Sequence, residues 1–291
     1  MSILINKDTR VISQGITGKL GSFATGQMTE YGTKVVAGVT PGKGGTELNG
    51  VPVYDTVREA VKYHPADATI TFVPPPFVKE AIFEALEVGI KLVVVAVERM
   101  PVKDMMMVHQ ALRQSDTVLL GPNSPGIISA DECSIGYFPG HVYRKGSVGI
   151  VSRSGTFSYQ VADYITKAGL GETTALGLGG DPITGVSFID ILKLYEADPE
   201  TKVIVLIGEI GRTSEEQAAE YIQSEVSKPV VAIIGGRTAP PGKTMGHAGA
   251  IITGGRGSYD SKVNALEKAG VPVVRTAKEV ATLAKQALGS S

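Results

Sequence analysis

Tryptophan is absent from the 291 residues, cysteine occurs once (Cys133), and neither sign of charge dominates: 28 Lys and Arg stand against 29 Asp and Glu. A single cysteine excludes a disulfide framework within the chain and fits a reducing compartment. A net charge of -1 offers no broad electropositive face, so nucleic acid and an anionic membrane surface are not expected partners. Anions must be held locally, by loops and helix ends. No apolar run approaches the span of a bilayer, and the first ten residues carry neither a signal-peptide core nor an Arg- and Ser-rich leader. A cytoplasmic, membrane-free protein is the expectation. There is also no G-x-x-x-x-G-K-[ST] loop, no Cys/His cluster with metal-ligand spacing and no G-x-S-x-G elbow. No metal site is expected, and any nucleotide-binding domain must come from a second subunit.

What is present is a long alternation of short apolar runs with amphipathic stretches. Hydrophobic residues make up 43%, ample for buried cores, and 36 glycines suit the tight turns between strands and helices. Strands are expected at 11–14, 34–39, 68–73, 91–97 and 117–120, with helices at 19–31, 57–63, 77–88 and 103–114 between them. Unbroken apolar strands joined by helical crossovers read as a parallel sheet covered on both faces. Residues 1–122 are therefore expected to form a Rossmann-like unit. The Gly- and Pro-rich stretch 123–146 reads as a linker. The alternation restarts over 147–291, with strands at 147–151, 173–178, 203–207, 230–234 and 271–274. Helices are expected at 156–168, 188–196, 215–225, 258–269 and 278–288, giving an α/β unit of flavodoxin-like order.

Two glycine loops lie at adjacent strand ends in the first unit. Gly15-Ile-Thr-Gly18-Lys-Leu-Gly21 follows a strand and opens a helix, where backbone N–H groups can approach a phosphate. Its spacing, G-x-x-G-x-x-G, differs from the dinucleotide fingerprint. The next strand ends in Gly38-Val-Thr-Pro-Gly-Lys-Gly-Gly45, with Lys43 where a nicotinamide dinucleotide site places the acid that holds its ribose. A lysine there suits a further phosphate, so coenzyme A is favoured over NAD and a nicotinamide oxidoreductase is disfavoured.

In the second unit, Val151-Ser-Arg-Ser154-Gly155-Thr156 joins a strand to a helix, a junction whose exposed N–H groups attract an anion or simply carry an ordinary cap. Of the four histidines, His64, His109 and His141 are expected to be solvated. His247 differs, standing in Met245-Gly-His-Ala-Gly-Ala250, where small neighbours let an imidazole approach a phosphoryl group. Glu209, ending an apolar run, is the candidate partner for its other ring nitrogen.

These motifs, in this order, resemble the alpha subunits of the succinyl-CoA synthetases. The matching pieces are Gly15–Gly21, Gly38–Gly45, Phe72-Val-Pro, Gly121-Pro-Asn, Val151–Thr156, Gly179-Gly-Asp-Pro182, Gly208-Glu-Ile-Gly211 and Gly246-His-Ala-Gly-Ala-Ile251. They cover nearly the whole chain, and the last is the most diagnostic. The resemblance implies that Thr17, Gly18, Lys19, Leu20, Lys43, Ala96, Val97 and Glu98 contact CoA. It implies that His247 is phosphorylated with Glu209 as its partner, that Ser154 and Gly155 hold the phosphoryl group, and that Tyr159 sits beside the acid. It further implies a beta subunit with an ATP-grasp domain, in an αβ or α2β2 assembly, that brings ATP or GTP and Mg2+. The reaction implied is nucleoside-diphosphate-forming ligation of succinate to CoA through a phosphohistidine and a succinyl phosphate. The chain departs from the family pattern at Val97-Glu-Arg-Met100, at Ser124, at Gln160, at Arg212 and over Pro241-Gly-Lys-Thr244. Arg212 and Gln160 bear on the choice of acid and on movement of the His loop. A malate- or citrate-type ligase subunit and a non-catalytic CoA-binding paralogue are the alternatives.

Overall fold

A computed structural model describes residues 2–240, 242–252 and 257–289, so Pro241 of the divergent run before the His loop lies outside the described residues. Two sheets carry the chain. The first has the order β3-β4-β2-β1-β5-β6-β7. Its strands are β1 (Arg10–Gln14), β2 (Lys34–Val39), β3 (Glu47–Leu48), β4 (Val51–Tyr54), β5 (Ala68–Thr71), β6 (Leu92–Val95) and β7 (Val118–Leu120). All pair in parallel except β3, which turns back on β4. Helices α1 (Lys19–Glu30), α2 (Val57–Tyr63), α3 (Val78–Glu87) and α4 (Val102–Leu112) form the crossovers. Strand β6, Leu-Val-Val-Val, is buried at every position, as a central parallel strand covered on both faces must be. β1 lies between β2 and β5, so the chain reverses its winding direction there, and the crevice at that switch point falls on Gly15.

The second sheet has the order β14-β13-β12-β10-β11-β8-β9. β10 (Lys145–Ser152), β11 (Glu172–Gly177), β12 (Val203–Glu209), β13 (Val230–Gly235) and β14 (Val273–Val274) are parallel and follow the flavodoxin-like order. The crossovers are α5 (Gly155–Lys167), α6 (Phe188–Ala197), α7 (Ser214–Glu225) and α8 (Tyr259–Lys268), and α9 (Ala277–Gly289) follows the last strand. Here the switch point lies between β10 and β12, whose ends carry Arg153 and Glu209. The α/β class and the two windings agree with the sequence expectation.

The stretch 123–146 is more than a linker. It holds β8 (Gly126–Ser129) and β9 (Cys133–Gly136), an antiparallel hairpin whose first strand pairs with β11. Its composition hid this: Gly126 and Gly136 stack so closely that a Cβ on Gly126 would meet the Ile135 carbonyl oxygen at 1.8 Å. Glycines that read as loop formers are here a condition of strand pairing. The two-residue β3 and short β4 were likewise too brief to show a period.

The two units are packed together. One apolar cluster draws Ile3, Ile5, Ile70 and Leu92 together with Ile127, Leu176 and Ile204. Across the same boundary Thr33 Oγ1 donates to the Ser134 carbonyl at 2.7 Å, and the Asp131 N–H donates to Tyr31 Oη at 2.8 Å.

Candidate functional site

At the first switch point the chain leaves β1 through Gly15, whose φ of +77° is a left-handed conformation open to glycine. α1 then starts at Gly18 with no side-chain cap and no acidic residue in its first turn. Its leading N–H groups and the positive end of its dipole are left for an anion. Gly21 lets the turn close, since a Cβ there would stand 2.2 Å from the Gly15 carbonyl oxygen. A cavity of about 500 Å3 opens beside this turn, lined by Gly15, Thr17, Gly18, Thr40, Phe72 and Phe77 among others. Thr17 Oγ1 donates to Thr40 Oγ1 at 3.2 Å, tying the two loops together. Lys19 and Leu20, in the first turn of α1, and Lys43, on the second loop, are exposed but do not line the cavity. Among the described residues neither lysine has a carboxylate within ion-pair distance.

Ala96, Val97 and Glu98 do not line this cavity either. They follow β6 on the side facing the second unit, where the Asn123 N–H donates to the Val97 carbonyl at 2.8 Å and the Ser124 N–H to the Val95 carbonyl at 3.2 Å. The residues expected to contact CoA therefore form two groups, one around the glycine loop and one against the second unit.

At the second switch point the imidazole of His247 meets the carboxylate of Glu209, with Nδ1 and Oε2 2.7 Å apart. An Nδ1–H donated to this carboxylate leaves Nε2 as the lone-pair nitrogen. Glu209 is the last residue of β12, so its backbone is held by the sheet. Its other oxygen lies 3.0 Å from Arg153 Nη2, an ion pair off line for a hydrogen bond. Arg153 is 2% exposed and also faces Glu215 at 3.6 Å. Glu215 in turn accepts from the Glu209 N–H at 3.1 Å and is paired with the buried Lys262. Burial would raise the Glu215 carboxyl, but Arg153 and Lys262 outweigh it and hold it below its ordinary value. The hydrogen bond to Glu209 raises His247 above the usual imidazole value, against the opposing pull of burial.

Gly180, after β11, forms the seat of the ring: a Cβ there would lie 2.4 Å from His247 Cγ. The Gly249 N–H donates to the Gly180 carbonyl at 3.0 Å, fixing the His loop on the same seat. Arg212 takes a left-handed φ of +52° and donates from Nη1 to the Pro182 carbonyl at 3.0 Å. Burial depresses its guanidinium to about 10, and the neighbouring Arg153 adds to this. A Cβ on Gly249 would stand 3.2 Å from Arg212 Nη2, so this extra cation lies beside the His loop. Gln160 is exposed.

Ser154 caps α5, its Oγ accepting from the Phe157 N–H at 3.3 Å, and Gly155 opens the helix. No acidic residue lies in that first turn. Tyr159 sits one turn on, edge-on to Phe138, with its hydroxyl near Gly155 and burial raising it to about 12. Ser154 directly follows Arg153, so this helix end leaves the same strand that presents the guanidinium to Glu209.

The structure corrects two of the other histidine readings. His109 Nε2 lies 2.8 Å from the Thr184 carbonyl, and His64 Nε2 lies 2.9 Å from Tyr54 Oη, both partly buried. Only His141 of the three is exposed. Sequence reasoning passed over Arg153, Gly180, Glu215 and Lys262. Arg153 had a signal, since it stands between the two serines of the helix cap. Glu215 and Lys262 had none, because charged residues on amphipathic helices read as solvated.

A CoA binding domain model matches residues 6–98 and a CoA-ligase model matches residues 151–273. The chain is 55% identical to the alpha subunit of the ADP-forming succinate–CoA ligase of Aquifex aeolicus over 288 residues, 98% of this chain and 94% of that one. It is 53% identical to alpha subunit 1 of the Archaeoglobus fulgidus enzyme, with 96% of each chain covered. Among solved structures, ATP citrate lyase of Methanosaeta concilii superposes with a TM-score of 0.90 at 24% identity, over 99% of this chain and 51% of that one. The chain thus spans about half the length of that lyase, a likeness of fold alone. On the curated relatives and the two domain matches, the chain belongs to the family of succinate–CoA ligase alpha subunits.

Proposed function

We propose that this chain is the CoA-binding, phosphohistidine-carrying subunit of a ligase that joins succinate to CoA with cleavage of a nucleoside triphosphate. The observation that carries the reading is the His247–Glu209 pair at 2.7 Å, braced by Arg153. A carboxylate on Nδ1 selects the tautomer with its lone pair on Nε2 and stabilises the charge that develops when that nitrogen attacks phosphorus. His247 Nε2 displaces the nucleoside diphosphate and takes the γ-phosphoryl group. A succinate carboxylate displaces His247 in turn, giving succinyl phosphate. The CoA thiol then attacks the acyl carbon, releasing phosphate and leaving the thioester.

Ser154 and Gly155 suit the phosphoryl group, because the α5 N-terminus offers N–H groups and a dipole without a competing carboxylate. Tyr159, half-buried one turn away, suits a place beside the acid. Thr17, Gly18, Lys19, Leu20 and Lys43 fit the phosphate-bearing end of CoA: an uncapped helix end, a cavity and two lysines that have no carboxylate partner among the described residues. Ala96, Val97 and Glu98 fit its far end, on the side of the second unit. Nucleotide and Mg2+ are held by a beta subunit with an ATP-grasp domain, which agrees with the absence of a phosphate-binding P-loop from this sequence. One buried, unpaired cysteine suits the cytoplasm.

The test is phosphopeptide mapping of the chain co-purified with its partner and incubated with labelled ATP or GTP. Acid-labile label on His247, discharged by CoA and succinate together, is the expected result. Absence of label with both nucleotides, despite CoA binding and assembly, would leave a non-catalytic CoA-binding protein.

A further inference from the structure

Asp181 has no role in the reaction as described, yet it is 2% exposed and its two carboxylate oxygens are both engaged. Oδ1 accepts from the Arg99 N–H at 3.2 Å and Oδ2 from the Met100 N–H at 3.0 Å. Arg99 has a left-handed φ of +63°, which turns two successive N–H groups toward one carboxylate. These N–H groups belong to the residues immediately after Ala96-Val97-Glu98. A carboxylate is costly to bury, and burial raises Asp181 above its ordinary value, against the opposing pull of these two N–H groups and of Arg212.

The residue before Asp181 is Gly180, on which the His247 ring rests. Gly180 has its own anchors, donating its N–H to the Asn123 carbonyl at 3.2 Å and accepting from the Gly249 N–H at 3.0 Å. Two consecutive residues therefore touch the imidazole, the backbone of its loop and the segment that follows β6. The side of Gly180 that faces His247 does not depend on Asp181 for its hydrogen bonds.

We infer that Asp181 is a positioning residue that sets the 96–98 segment in register with His247, and with it the thiol end of CoA relative to the acyl phosphate formed there. This rests on the ligase reading given above. Asp181→Ala removes both acceptors, while Asp181→Asn keeps the shape but turns an NH2 toward one of the two N–H donors. Either change loosens the segment on the CoA side and leaves the bonds of Gly180 in place.

The experiment is rapid-quench measurement of two half-reactions in the assembled enzyme: labelling of His247 by nucleotide, and discharge of that label into thioester by succinate and CoA. In Asp181→Ala the discharge rate falls at least about tenfold more than the labelling rate, with a higher KM for CoA, since ångström-scale misplacement of reacting groups carries penalties of that order. Asp181→Asn shows the same split at smaller size, and it carries the test alone if the alanine variant does not assemble. Equal loss in both half-reactions marks Asp181 as merely structural and overturns the inference, as does no loss in either. A wild-type enzyme that takes no label sinks the ligase reading itself, and the inference with it.

Discussion

At the scale of single residues, the acid–base chemistry turns on carboxylates that are mostly or wholly buried. Glu209 raises His247, so the neutral imidazole needed for attack prevails only above that raised value. Glu209→Gln removes the charge, which lowers the His247 pKa and moves the pH profile of phosphorylation to more acidic values. The plateau rate falls roughly 10- to 100-fold, because a partner to the ring nitrogen that orients less firmly costs about that much. Label incorporation measured across the histidine range checks both parts, and an unmoved profile would remove Glu209 from the pair. Glu172 is a second case, with no role at the site. It is fully buried at the start of β11, and burial raises it to about 8 from an ordinary 4.5. Between those values the folded chain holds a proton that the unfolded chain has released, so this group's contribution is complete below the unfolded pKa and is lost as pH rises through the folded one. Stability therefore drops with a limiting slope of about 1.4 kcal/mol per pH unit from this group. Glu172→Gln flattens that part of the curve, as urea titrations at stepped pH will show. The sequence held His247 and Glu209 in view, since one lies among glycines and the other ends an apolar run. It concealed Glu172 and Glu215, because nothing in a local pattern tells a buried acid from a solvated one.

At the scale of elements, strand ends and helix starts converge to make the site. β12 delivers Glu209, β10 delivers Arg153, α5 offers its N-terminus, and the loop after β11 supplies the seat. That seat demands glycine. Gly180→Ala drives a methyl group to within 2.4 Å of His247 Cγ, displacing the imidazole. Phosphorylation falls by about two orders of magnitude, as small displacements of reacting groups do, while far-UV circular dichroism stays unchanged. Full labelling of this variant would disprove the seat. At the head of α5, Ser154→Ala removes the acceptor for the Phe157 N–H and lowers stability by about 1 kcal/mol, the usual worth of such a cap. Its midpoint in urea shifts accordingly. These junctions were legible in outline, because Ser-Gly and Gly-rich breaks between apolar and amphipathic runs mark them. The β8–β9 hairpin was not, since its glycines serve close strand approach and look like loop.

At the scale of the whole molecule, the two windings share a core. Ile3 and Ile5 lie in one apolar cluster with Leu176 and Ile204, and the Ile3 N–H donates to Thr174 Oγ1 at 3.2 Å. Units joined through a common buried cluster lose it together. A single calorimetric transition is therefore expected for the chain, moved upward as a whole by CoA. At a concentration 100 times its dissociation constant, CoA adds about 2.7 kcal/mol by mass action. Two resolved transitions, with CoA raising only one, would show the units to be independent.

The sequence alone determined the α/β class and the two windings, and it singled out the candidate residues for phosphoryl chemistry. Each of these rests on local pattern: apolar runs of strand length, amphipathic helices, and glycine breaks at the turns between them. Only the tertiary structure decided which of those residues meet. It set Glu209 on His247, placed Arg153 behind the pair, laid Gly180 under the ring and split the CoA candidates into two groups. Such contacts join residues up to 67 positions apart on separate loops (180 and 247), and periodicity along a chain carries no information about pairings across sheets.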